Sequence, residues 1–129
     1  LMNEYIIARE GAPPFGFRGD QLCDPVTITV DKRTYSGVAY MTEDGLIVLS
    51  VAFRSDWDGE PPYNWAFFGK NTLDIQLQLR GVEKVPAGVG YPVGERFAPK
   101  QERLIAELKQ AFDRVISRVY IDSGIIDEI

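Results

Sequence analysis

The sequence predicts an α+β protein: an antiparallel β-sheet of four to six strands in a meander, packed on one long C-terminal amphipathic α-helix. Three observations carry this reading. Val26-Thr27-Ile28-Thr29-Val30 alternates strictly between apolar and polar residues, the period of a half-buried strand. Glu43-Asp44-Gly45 separates two strand-like runs, and Asp-Gly is a strong hairpin signal because glycine accepts a positive φ. From Pro99 onward the apolar residues recur at spacings of three and four. Strands first and a helix last point to α+β rather than alternating α/β.

Taken in order, Tyr5-Ile6-Ile7-Ala8 reads as a first strand, and residues 11–20 read as a Gly/Pro loop carrying Phe15 and Phe17. The strand Val26–Val30 is β-branched throughout, which suits a pleated surface. Asp31-Lys32-Arg33 turns the chain into a strand from Thr34 to Met41. After the Asp-Gly turn, Leu46 to Phe53 is nearly all apolar and reads as a central strand buried on both faces. Arg54 to Pro62 is an acidic loop, and Tyr63 to Phe68 an aromatic strand. Leu73, Ile75, Leu77 and Leu79 alternate with polar residues and predict one more strand. Gly81 to Ala98 is a long irregular connection, of the kind that is often functional.

The helix is expected to start at Pro99, where a missing N–H costs nothing. Leu104, Leu108, Phe112, Val115 and Val119 form one stripe, flanked by Ile105 and Ile116. Arg103–Glu107 and Lys109–Asp113 are expected as opposite-charge pairs four apart, Arg114 and Arg118 suit the C-terminal dipole, and Gly124 is the expected stop. The tail Ile125–Ile129 is expected to dock on the body or on a second chain.

The chain has 129 residues, the size of one domain, so 1–129 is read as a single unit, with Leu1 as an extra residue before a natural start at Met2. A chain of this length buries about two thirds of its unfolded surface and needs no staples. The net charge of −5 is spread evenly, without the basic face that phosphate binding needs, so no nucleic-acid partner is expected. No apolar run is long enough to span a bilayer and no secretory signal is visible, so no membrane partner and a cytoplasmic location are expected.

The absence of histidine removes Ser–His and Cys–His nucleophilic pairs and His-based zinc sites. A single cysteine, Cys23, excludes an intramolecular disulfide, and Asp24 beside it disfavours a thiolate. No catalytic residue and no cofactor are therefore expected.

Asp56, Asp58 and Glu60 surround Trp57 and Gly59. Three carboxylates in one turn invite a hard cation, but the EF-hand spacing is not met and a single short loop rarely makes a full cage, so no metal is expected. Trp57 is harder to bury between two aspartates than the other aromatics, and Trp is enriched at binding hot spots. The expected partner-binding residues are accordingly Trp57, Asp56, Asp58, Glu60, Phe15 and Phe17. Tyr63, Trp65 and Tyr91 are candidates for a ligand pocket, against ordinary core packing. Arg18-Gly19-Asp20 matches an adhesion tripeptide but reads as an ordinary turn. Gly88-Val89-Gly90 with Gly94 departs from the dinucleotide fingerprint, because the third Gly is one residue late and Pro92 interrupts it.

These residues favour a small acidic protein-binding module (an inhibitor, immunity-type factor or adaptor) with no catalytic activity of its own, whose partner is another protein. A small-ligand-binding domain or carboxylate-dependent enzyme is the alternative. A structural subunit, dimerising through the helix or the 125–129 tail, is the third.

Overall fold

The computed structural model describes residues 2–90 and 98–125. The order is β1 (Asn3–Ile7), β2 (Phe15–Gln21), β3 (Val26–Val30), β4 (Arg33–Thr42), β5 (Ile47–Ser55), β6 (Tyr63–Gly69), α1 (Thr72–Leu79) and α2 (Ala98–Asp122). All six strands join one antiparallel sheet, so the fold is the α+β one the pattern predicts.

The sheet departs from a plain meander around β4. One edge of β4 pairs with β5 from Arg33 to Met41. The other edge is shared: β3 takes Arg33 to Gly37, and β2 takes Tyr40 to Thr42. Only Gly19 to Gln21 of β2 reach β4. The rest of the β1–β2 hairpin crosses the face opposite α2 toward β6, where the Glu10 N–H donates to the Asn64 carbonyl at 3.1 Å.

Period-two alternation builds a core on each face. Tyr35, Leu49, Val51, Phe53, Trp65 and Phe67 face α2 and meet Leu108, Phe112, Val115 and Val119. Each large side chain fully buried there contributes roughly 1.5–3 kcal/mol. The Phe112 ring meets Tyr35 and Trp65 edge-on, at centroid distances of 5.7 and 5.1 Å. On the other face, Tyr40 and Val48 lie under the β1–β2 hairpin. Tyr5 and Phe17 pack on Tyr40 at 4.7 and 5.4 Å, and Phe15 stacks on Phe68 at 4.8 Å.

Two turns show the local chemistry at work. Asp31 and Lys32, at φ 49° and 63°, form a two-residue loop between the paired Val30 and Arg33, a type I′ turn made without glycine. Holding two ordinary residues in the left-handed region costs roughly 1–2 kcal/mol each. Gly45, at φ 86°, closes the β4–β5 turn at the expected Asp-Gly step.

Three sequence expectations change. The segment 11–20 is not all loop: Phe15 to Asp20 lie in β2, and Arg18-Gly19-Asp20 is extended rather than turned, with Gly19 pinned between Asn3 and Thr42. The expected strand over 73–79 is α1. Asn71 caps it, its side chain accepting from the Asp74 N–H at 3.0 Å, while Asp74 accepts in turn from the Lys70 N–H at 3.0 Å. The helix buries Ile75 and Leu79, four apart, and leaves Leu73 and Leu77 62% and 57% exposed. Asp113 pairs with Lys84 rather than with Lys109.

Helix α2 begins at Ala98, one residue before Pro99, and ends as expected at Gly124. There the N–H groups of Gly124 and Ile125 donate back to Ile121 and Tyr120, a Schellman cap that lays Ile125 on the core. Residues 126–129 of the expected docking tail lie outside the described residues. No described helix is long and apolar enough to cross a membrane.

Close approaches make glycine obligatory at Gly37 and Gly19 among others. A Cβ on Gly37 would lie 2.6 Å from Cγ1 of Val115, and one on Gly19 would lie 2.1 Å from the Met41 carbonyl oxygen. Gly37→Ala and Gly19→Ala are each expected to lower the urea-unfolding free energy by about 1–3 kcal/mol, the usual range for overpacking. Gly81→Ala, whose nearest atom lies 3.8 Å away, is expected to stay within about 0.5 kcal/mol of wild type.

Candidate functional site

Strand alternation puts Arg33 on the same face as Tyr35, Gly37 and Ala39, the face that α2 covers. A guanidinium carried into that layer needs a carboxylate, because an unpaired buried charge is too costly to keep. Glu60 supplies it from the β5–β6 loop, 27 residues along the chain. The Arg33 Nε and Nη2 donate to Glu60 Oε1 and Oε2, both at 2.7 Å, and the two side chains are only 8% and 10% exposed. Two parallel bonds fix the angle of the loop as well as its distance.

The remaining lone pairs of Glu60 are also used. The Ser55 hydroxyl donates to Oε1, and the Gly90 N–H donates to Oε2 at 3.2 Å. Burial by itself would push the Glu60 carboxyl up; the bonds from Arg33, Ser55 and Gly90, with the Arg33 charge, outweigh it and hold the group below its ordinary value of 4.5. The hydrogen bond to Glu60 raises the pKa of Arg33 against the opposing effect of its burial. Arg33 also reaches Asp31 at 3.1 Å, back across the strained turn.

This brace presents Trp57. Its indole Nε1–H donates to the Asp31 carbonyl at 2.6 Å, and its backbone N–H donates to the Ser55 hydroxyl at 3.1 Å. The Asp56 N–H donates to the Lys32 carbonyl at 3.0 Å, tying the loop to the hairpin a second time. The Lys32 ammonium lies 4.7 Å from the ring centroid and the Arg33 guanidinium 5.7 Å from it. With the indole N–H engaged, Trp57 is still 41% exposed. Asp56 and Asp58 flank it in the open, beside a hollow of about 310 Å³ lined by Thr34, Arg54, Ser55, Asp56, Glu60 and Pro62.

The residues expected from sequence divide accordingly. Trp57, Asp56 and Asp58 are brought together at the tip. Glu60 belongs to the same cluster but points inward as its strut. Phe15 and Phe17 are remote from it, half-buried in the aromatic layer over Tyr40 and Phe68. Trp65 is a core residue, in contact with Tyr35, Phe112 and the half-buried Tyr63. Tyr91 lies outside the described residues. The glycines of Gly88-Val89-Gly90 adopt φ of 84° and 74° around a buried Val89, and the anion that Gly90 meets is Glu60.

Arg33, Ser55 and the Asp31 carbonyl were not singled out in the sequence. The signal available for Arg33 was its parity with Tyr35; nothing local pointed to Ser55. Among the described residues, no three His, Cys, Asp or Glu side chains are grouped so as to hold a metal ion. A larger cleft, of about 740 Å³, lies between α1 and α2, with Leu73, Leu79, Val82, Ile116 and Tyr120 in its walls.

Comparison with protein-family models, characterised proteins and solved structures finds no match to this chain. The functional reading therefore rests on geometry.

Glu60→Gln is expected to destabilise the fold by about 3 kcal/mol at neutral pH, within the range for breaking a buried pair. Because the folded state lowers the carboxyl's pKa, the stability it confers is full above pH 4.5 and is lost as pH falls through the lower folded-state value. Urea titrations at several pH values should show a shallower acid-side decline in Glu60→Gln than in wild type.

Proposed function

We propose that this protein is a protein-binding module, of the inhibitor, immunity-factor or adaptor kind, whose contact point is the Trp57 tip. The observation that carries the reading is a tryptophan with its N–H bonded and its loop braced, yet with 41% of its surface open. Exposing an indole wastes burial energy in the free protein, and immobilising it beforehand removes much of the entropic cost of using it in a complex. Trp is also the residue type most enriched at binding hot spots. Asp56 and Asp58 on either side, in a chain of net charge −5, suit a basic partner surface through complementarity and faster encounter.

A photo-crosslinking residue at position 58, expressed in the native host, tests the proposal. One discrete protein adduct is expected, and it should disappear when Trp57→Ala is added. An adduct pattern indifferent to Trp57, or none at all, sinks the reading.

Small-ligand binding is a second reading, favoured by a separate observation in the α1–α2 cleft. Tyr120 lines it, is 7% exposed, and holds a buried hydroxyl without a hydrogen-bond partner among the described residues. An unmade bond of that kind costs roughly 1–3 kcal/mol. In a thermal-shift screen of nucleotides, sugars and amphipathic acids, a ligand of this cleft should raise Tm in wild type and do so much less in Ile116→Trp, which fills the cleft.

A further inference from the structure

We propose that the free edge of β3, with the cleft between it and α2, accepts an extended acidic peptide from a partner protein as an added strand. This surface is separate from the Trp57 tip and does not depend on that assignment.

The argument starts from backbone bookkeeping. Among the described residues, β3 pairs with β4 alone. A two-residue turn makes Val30 and Arg33 a hydrogen-bonded pair, so Val26, Ile28 and Val30 direct their backbone groups toward β4. Thr27 and Thr29 alternate with them and direct N–H and C=O outward, and both residues are exposed. Their hydroxyls do not cover the edge. Thr27 shares a hydrogen bond with Ser36 at 3.3 Å, and Thr29 one with Thr34 at 2.9 Å.

The β6 and β3 edges of the sheet are treated differently. At β6 the Gln78 side chain donates to the Phe68 carbonyl at 2.8 Å and accepts from its N–H at 3.4 Å, imitating a neighbouring strand. Glu10 covers the Asn64 carbonyl of the same strand. Within its five residues β3 carries no proline and no charge, and all five positions are β-branched; Pro25 stands one residue before it. An edge of this kind is competent for strand addition, in which main-chain bonds supply affinity and alternate side chains supply specificity.

The chemistry of the added strand follows from the cleft beside the edge. It has a volume of about 510 Å³, with Val26, Ile28 and Ile121 as apolar walls and Arg114 and Arg118 entering from α2. Arg118 is held by Asp122 at 2.8 Å, whereas Arg114 has no ion-pair partner among the described residues. Asp113, the acid of the same wall, is drawn to Lys84. Among the described residues the cleft thus holds one cation without an ion-pair partner, Arg114, in a chain of net charge −5. An added strand would send every second side chain under α2, apolar ones onto Val26 and Ile28 and a carboxylate toward Arg114. A second copy of the chain fits less well, because two-fold pairing of β3 would set the arginines of two α2 helices side by side.

The test uses the whole chain, isotope-labelled, with blocked heptapeptide libraries in which one position is fixed as Glu or as Lys. Glu-fixed libraries are expected to bind about ten-fold or more tightly than Lys-fixed ones. The Thr27 and Thr29 amide resonances should shift and gain exchange protection. Thr29→Pro removes an outward N–H and leaves the β3–β4 ladder intact, so it should abolish binding without unfolding the protein. Arg114→Glu should reverse the preference for Glu over Lys, and it keeps the test decisive if Thr29→Pro folds poorly. Equal binding of both libraries, shifts confined to other strands, binding unaffected by Thr29→Pro, or no binding overturns the proposal. Self-association seen by sedimentation and lost in Thr29→Pro also overturns it, by assigning the edge to a second copy.

Discussion

Helix α2 can lie on the sheet only at the depth that Gly37 permits. A side chain there would collide with Val115, and Val119 stands just behind it. At that depth Phe112 reaches between Tyr35 and Trp65, and the aromatic core closes around it. The same seating leaves one cleft between α2 and β3 and a separate one between α2 and α1. One missing methyl group thus sets the depth of the helix and, through it, the shape of both clefts.

The hairpin tip rests on a different kind of interaction. Buried ion pairs add little net stability, since desolvation consumes most of their attraction, but breaking one is expensive. The Arg33–Glu60 pair therefore acts chiefly as a geometric lock. It joins the β3–β4 turn, the β5–β6 loop and Gly90, and all four hydrogen bonds that converge on the Glu60 carboxylate are short enough to be specific. Two residues at positive φ stand directly beside this lock. Strain of that kind persists where neighbouring contacts over-determine the backbone, as the bonds from Trp57 Nε1, the Asp56 N–H and Arg33 do here.

The β1–β2 hairpin makes the molecule three-layered. Had it continued the sheet edge to edge, Tyr40, Val48 and Phe68 would face water. By parting from β4 beyond Gly19 and crossing to β6 it packs Tyr5, Phe15 and Phe17 over them, with Arg9 set 5.7 Å from the ring centroids of Phe15 and Phe68. That parting also vacates half of one β4 edge for β3, which is how a five-residue strand comes to stand at the margin of the sheet.

The sequence by itself determined the strands at 26–30, 34–41, 46–53 and 63–68, the Asp-Gly turn, the buried stripe of α2 and its stop at Gly124. Each is encoded within a few residues by periodicity or turn chemistry. It also marked Trp57 as the aromatic hardest to bury. Where two periods coincide it misled: Leu73, Ile75, Leu77 and Leu79 alternate as a strand would, yet Ile75 and Leu79 are also one helical turn apart, and the Asn71–Asp74 cap decides for helix. Phe15 to Asp20 read as loop because glycine and proline dominate the local signal; pairing with β1 and β4 supplies the order that propensity lacks. Only the tertiary structure decided that Glu60 is a strut rather than a contact, that Phe15 and Phe17 serve a second core, and that β3 lies at an open edge. Those outcomes depend on which surfaces remain to be buried once distant segments have met, and no local pattern records that.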